Sequence, residues 1–105
     1  MRERDVEKIL VEEVKNLGGR AYKWTSPGNA GVPDRIVIFP GHRPVFVELK
    51  ADGGALSALQ IVQIKRLRDL GQPVEVVFGV NGVKKFFEDY GYLDAASRIA
   101  TKFNL

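Results

Sequence analysis

Two carboxylates and a lysine stand where apolar side chains belong. Asp34 opens the β-branched run Arg35-Ile36-Val37-Ile38-Phe39. Glu48 and Lys50 interrupt and end a second run, Val45-Phe46-Val47-Glu48-Leu49-Lys50. A core strand gains nothing from buried, unpaired charge. These residues are therefore either a cross-strand ion pair at an exposed rim or a set of groups holding something cationic. Oxygen ligands suit hard cations such as magnesium or manganese. The composition leaves little room for other metal chemistry, because there is no cysteine and only one histidine, His42, too few for a zinc site of the usual kind or a His-based triad.

Whether the carboxylates meet depends on the elements that carry them. Pro40-Gly41-His42-Arg43-Pro44 is too short for a crossover, so the two runs, Asp34 to Phe39 and Val45 to Lys50, form an antiparallel hairpin. If Phe39 faces Val45, then Ile36 faces Glu48 and Asp34 faces Lys50. Asp34 and Glu48 become diagonal neighbours on one face, on the order of 5–8 Å apart at the β-carbons. The Leu49 backbone carbonyl lies between the charged residues. A slip of one residue would carry Asp34 to the opposite face.

Glu3 to Leu17 is expected to be a helix, with Val6, Leu10, Val14 and Leu17 on one stripe and Gly18-Gly19 as its stop. At about 100° per residue, Glu3 falls near the centre of that stripe and Glu7 on its flank. Arg20 to Thr25 is a strand candidate with Arg20, Tyr22 and Trp24 on one side; Tyr22 and Trp24 read as core aromatics rather than base-stacking groups. Ser26 to Gly31 is a loop. Ser57 and Gln60 match a capping box for a helix running to about Leu70, whose core side is Leu56, Ile64, Leu67 and Leu70. Val74 to Val80 is expected to be a central strand, buried on both faces. Helices from Gly82 to about Tyr90 and from Asp94 to about Lys102 follow. The fold class is α/β: an αβββαβ core over about residues 3–80, a mixed sheet flanked by helices, and a C-terminal helical extension over about 81–105, all in one domain.

The 105 residues can bury one modest core, and 45% hydrophobic content marks a globular chain. A net charge of +3 permits a nucleic-acid partner without requiring one. No run is long and apolar enough to span a membrane, and Met-Arg-Glu-Arg-Asp at the start lacks the apolar core of a signal peptide. A cytoplasmic protein, of prokaryotic or viral context, is expected.

Asp34 with Glu48-Leu49-Lys50, in this order of elements, resembles the PD-(D/E)xK nuclease superfamily. Gly31-Val32-Pro33-Asp34, Phe46 to Lys50, Gly53-Gly54, Leu56-Ser57 with Gln60, and Leu70-Gly71 resemble the VRR-NUC (virus-type replication–repair nuclease) domain more narrowly. The resemblance spans roughly Glu3 to Val80. It implies a restriction-endonuclease-like fold and a DNA endonuclease dependent on Mg2+ or Mn2+. Asp34, Glu48 and the Leu49 carbonyl would be metal ligands, with Glu7 the favoured helical carboxylate and Glu3 the alternative. Lys50 would orient or deprotonate the attacking water, and Gln60 would face the site. Lys23, Ser26, Asn29 and Arg35 are candidate DNA contacts, with His42 and Arg43 as further basic positions. By resemblance, such stand-alone members act as homodimers on branched DNA, four-way (Holliday) junctions in particular. Flap- or end-directed cleavage, and a non-catalytic nucleic-acid-binding module, are the alternatives.

Overall fold

The computed structural model describes residues 1–105. Apolar residues every fourth position fold the first segment as α1 (Glu3–Asn16), whose Val6, Leu10 and Val14 are completely buried. Glu3 and Asp5 in its first turn complement the positive end of the helix dipole. Four strands follow: β1 (Arg20–Lys23), β2 (Arg35–Ile38), β3 (Val45–Lys50) and, after α2 (Ala58–Asp69), β4 (Val74–Phe78). The sheet order is β1-β2-β3-β4. The first three strands are antiparallel, and β4 joins β3 in parallel through the α2 crossover. The chain ends in α3 (Gly79–Asp89) and α4 (Leu93–Phe103).

Strand alternation sorts the sheet into two faces. Val37, Val45, Val47, Leu49 and Val77 point to one, where they join Val6, Leu10 and Val14 of α1 with Val83, Phe86, Phe87, Ala95, Ala96 and Ile99 of α3 and α4. The helices after β4 are thus part of the main core. The opposite face carries Tyr22, Ile36, Phe46, Glu48 and Val76, and only α2 covers it, through Ile64 and Leu67 over the β4 side.

Several expectations need correction. The hairpin register is displaced by two residues: Val37 faces Val45, Ile36 faces Phe46 and Arg35 faces Val47. Phe39 leaves the strand to seat its ring against Tyr92 at 4.6 Å and Phe86 at 5.8 Å, which lengthens the loop. An even displacement keeps every side chain on its face. The segment from Val74 forms the edge of the sheet rather than its centre and ends at Phe78, which is exposed. Gly79 (φ +63°) turns the chain directly into α3, so that helix starts before Asn81; a β-carbon there would collide with the Asp52 carboxylate. Finally, Leu70 is 74% exposed rather than core, because α2 ends in the Leu70-Gly71 turn before its apolar face regains the sheet.

Candidate active site

The ladder between β2 and β3 stops at Arg35 and Val47. Its register, continued one step, places Asp34 directly opposite Glu48. Asp34 Oδ2 accepts the next β3 amide on that side, Leu49 N–H, at 2.9 Å. An extended residue turns its N–H and C=O toward the same neighbouring strand, so the Leu49 carbonyl faces the same gap. The carboxylate thus replaces a missing rung of the ladder, which holds its orientation.

Glu48 is 1% exposed. Its Oε2 accepts from Gln60 Nε2 at 2.9 Å and lies 3.6 Å from Lys50 Nζ. Its Oε1 is buried and meets no hydrogen-bond donor. Burial, reinforced by the Asp34 charge, pushes the Glu48 carboxyl up from 4.5 to about 7, against the opposing pull of Lys50. A buried acid beside a second acid, with one oxygen unsatisfied, is short of a positive charge.

Gln60 has both of its expected roles. Its Oε1 accepts from Ser57 N–H at 2.9 Å and its own N–H donates to Ser57 Oγ at 3.1 Å, closing the capping box, while Nε2 holds Glu48. Gly31 (φ +92°) fixes the other side of the arrangement. A β-carbon there would lie 2.6 Å from the Leu59 backbone carbonyl, so only glycine lets the Gly31-Val32-Pro33-Asp34 turn rest on the first turn of α2.

The helical carboxylates separate in space. Glu3 Oε1 lies 3.9 Å from Lys50 Nζ, and its charge adds to the rise at Glu48. Glu7 Oε2 is engaged by Arg35 Nε at 2.7 Å and Lys23 Nζ at 3.2 Å. By alternation those two cations stand on the face opposite Asp34 and Glu48. The structure therefore brings Glu3, not Glu7, to the lysine. Arg35 is further held by the Ala21 carbonyl at 3.0 Å. In the neighbouring loop Asn29 Nδ2 donates to Ser26 Oγ at 3.0 Å, and His42 and Arg43 are exposed on the hairpin loop.

No three acidic or histidine side chains converge into a complete metal cage. Two carboxylates and a carbonyl instead suit a hard cation that keeps several of its waters, and the unsatisfied Glu48 oxygen fits such an ion. One buried acid carries no signal in the sequence: Glu13, bonded by Arg98 Nη2 at 3.0 Å. Its partner is 85 residues away, so no local pattern announces it. The cleft beside this pair, between α1 and α4, is on the far side of the sheet from Asp34 and Glu48.

No family model matches the chain. A solved structure titled "VRR_NUC domain" superimposes on it with a TM-score of 0.76 at 32% identity, covering 84% of this chain and 96% of that one. The chain belongs to the VRR-NUC family. The phage protein named "Putative nuclease p44", from Acyrthosiphon pisum secondary endosymbiont phage 1, is 47% identical over 77 residues, 73% of this chain and 83% of its own length. The mixed sheet with flanking helices is thus the restriction-endonuclease-like sheet of a VRR-NUC domain, and no helix in it is long and apolar enough to cross a membrane.

Proposed function

We propose that this chain is a divalent-metal-dependent endonuclease that hydrolyses DNA phosphodiester bonds, selective for branched DNA such as four-way junctions and acting as a homodimer. The observation that carries the reading is the Glu48 carboxylate, buried within the influence of the Asp34 and Lys50 charges and left with one oxygen, Oε1, that no protein group satisfies. The nuclease name of the phage relative points the same way.

Asp34, Glu48 and the Leu49 carbonyl would hold Mg2+ or Mn2+, with Glu3 as the nearest helical carboxylate. A bound ion of this kind neutralises phosphoryl oxygens and activates water near neutral pH. The chain's own groups set the geometry. Gln60 restrains Glu48 through Oε2 and leaves Oε1 for the ligand role, while the Leu49 amide restrains Asp34. Lys50, with its side chain only 14% exposed between Glu48 and Glu3, presents its ammonium to the attacking water or the scissile phosphate. Glu7 acts as a positioning residue for Arg35 and Lys23. Lys23 at the edge of the sheet, with Ser26 and Asn29 in the adjoining loop, would meet DNA phosphates flanking the site.

A second copy is suggested by α2, whose outward Leu59, Ile61, Val62 and Leu70 are exposed. Two sites related by a two-fold axis suit paired incisions on a symmetric junction. The reading is tested by incubating the protein with labelled linear, flap and four-way DNA in Mg2+, Mn2+ or EDTA. Metal-dependent incision, strongest on the four-way substrate, is expected. Preferred cleavage of flaps or ends would replace the junction reading, and binding without cleavage of any substrate would overturn the enzyme. Lys50→Ala should abolish cleavage and leave calorimetric metal binding largely intact.

A further inference from the structure

The carboxylate row ends on an aromatic side chain that the core does not take up. Trp24 N–H donates to the Asp34 carbonyl at 3.0 Å, which continues the β1–β2 register by one step and sets Trp24 opposite Asp34. Trp24, Asp34 and Glu48 therefore lie in one transverse row. Neighbouring strands are about 4.8 Å apart, so the Trp24 backbone is about one strand spacing from that of Asp34 and about two from that of Glu48. The Trp24 ring rests on Phe46 at 5.1 Å, which places it on the face of the carboxylates.

That half of the face has no helix over it. Tyr22 is 55% exposed and Ile38 38%, while Trp24, Ile36 and Phe46 are half-buried. Cations rim the patch. Arg20, on the same face of β1 as Tyr22, and Arg43, on the hairpin loop, are exposed and have no acidic partner. Aromatic faces beside phosphate-binding charge suit a nucleic-acid strand, since every base offers a π-face and every linkage a negative charge. The aliphatic side chains of α2 have no such company and suit a protein partner better.

We propose that Tyr22 and Trp24 form a stacking platform for an unpaired base of the strand whose phosphate lies at Asp34 and Glu48. The inference rests on the nuclease reading and deepens it. The platform favours substrates that present an unstacked nucleotide beside the cut, which duplex DNA yields only after unpairing.

Trp24 is the only tryptophan in the chain, so its emission reports the contact directly. The full-length protein in EDTA is titrated with a single-stranded oligonucleotide, with a four-way junction, and with the same oligonucleotide made of abasic residues, with anisotropy recording binding in parallel. Base-bearing DNA should quench the emission and the abasic strand should not. Trp24→Phe should retain binding. Tyr22→Ala, at an exposed position, and Trp24→Leu should each weaken base-bearing DNA roughly 5- to 150-fold, the range of one base on an aromatic ring, and leave the abasic strand unaffected, with thermal melting checked for each. Binding without quenching, or equal losses on abasic and base-bearing DNA, would overturn the platform. So would Tyr22→Ala halving the mass in light scattering without changing DNA affinity, which would make the patch an interface between copies. Quenching in a protein that cuts no DNA in Mg2+ would keep the platform and remove the nuclease; cutting without quenching would do the reverse.

Discussion

Glu48 is costly to ionise in the folded chain, and the cost has a definite sign. Its carboxyl titrates at about 7 when folded, against an ordinary 4.5. Below that lower value both folded and unfolded chains are protonated. Between the two values the folded chain keeps a proton that the unfolded chain has released, so raising the pH favours unfolding. Stability of the metal-free protein should fall as pH rises from about 4.5 and level off above about 7, by up to about 3 kcal/mol at about 1.4 kcal/mol per pH unit. Urea unfolding across that range measures it. Glu48→Gln should flatten the curve and abolish cleavage, and millimolar Mg2+ should stabilise the wild type more at pH 8 than at pH 5. The same scale separates the helical acids. Glu3→Gln should weaken metal binding in calorimetry, whereas Glu7→Gln should leave it near wild type and instead loosen Arg35 and Lys23, weakening DNA affinity. The opposite pattern would return the ligand role to Glu7.

At the scale of elements, the site is a junction between the hairpin and the first turn of α2. Gly31 sets that junction because its backbone conformation is uncommon for other residues and its missing side chain is where the Leu59 carbonyl lies. Gly31→Ala should cost roughly 1–3 kcal/mol in backbone strain, more with the collision. The expected fall in Tm is about 4–8 °C per kcal/mol. Gly28→Ala, with φ +81° but open space around it, is the control for strain alone. Gly31→Ala should lose metal affinity beyond that control, because displacing the turn moves Asp34 away from Glu48.

For the whole molecule, α3 and α4 close the core over the sheet face opposite the site, and the Glu13–Arg98 pair joins the last helix to the first. This leaves α2 as the one helix with a broad apolar surface turned to solvent. Val62→Lys, near the middle of that surface, should reduce the mass in light scattering from near twice 11.7 kDa to 11.7 kDa and abolish paired incision while single nicks persist. A dimer of unchanged mass would place the interface elsewhere.

The hairpin, α1, the capping box and the carboxylate pair were legible because each is written in local pattern: alternation, four-residue spacing, and charge set into β-branched runs. Face assignment survived an error of two residues in register because side-chain direction repeats every two residues. Local pattern does not carry what depends on distant partners. An apolar run reads alike in a central strand and an edge strand, and what made Val74 to Phe78 an edge was the absence of any further strand to pair with it. Glu3 and Glu7 lie only about 40° apart on a helical wheel, which favours Glu7 on the flank, yet the sheet places Lys50 beside Glu3 and Arg35 beside Glu7. Tyr22 and Trp24 look like core residues in sequence. Tyr22 is exposed and Trp24 only half-buried because a single helix, α2, covers that face and reaches only its β4 side.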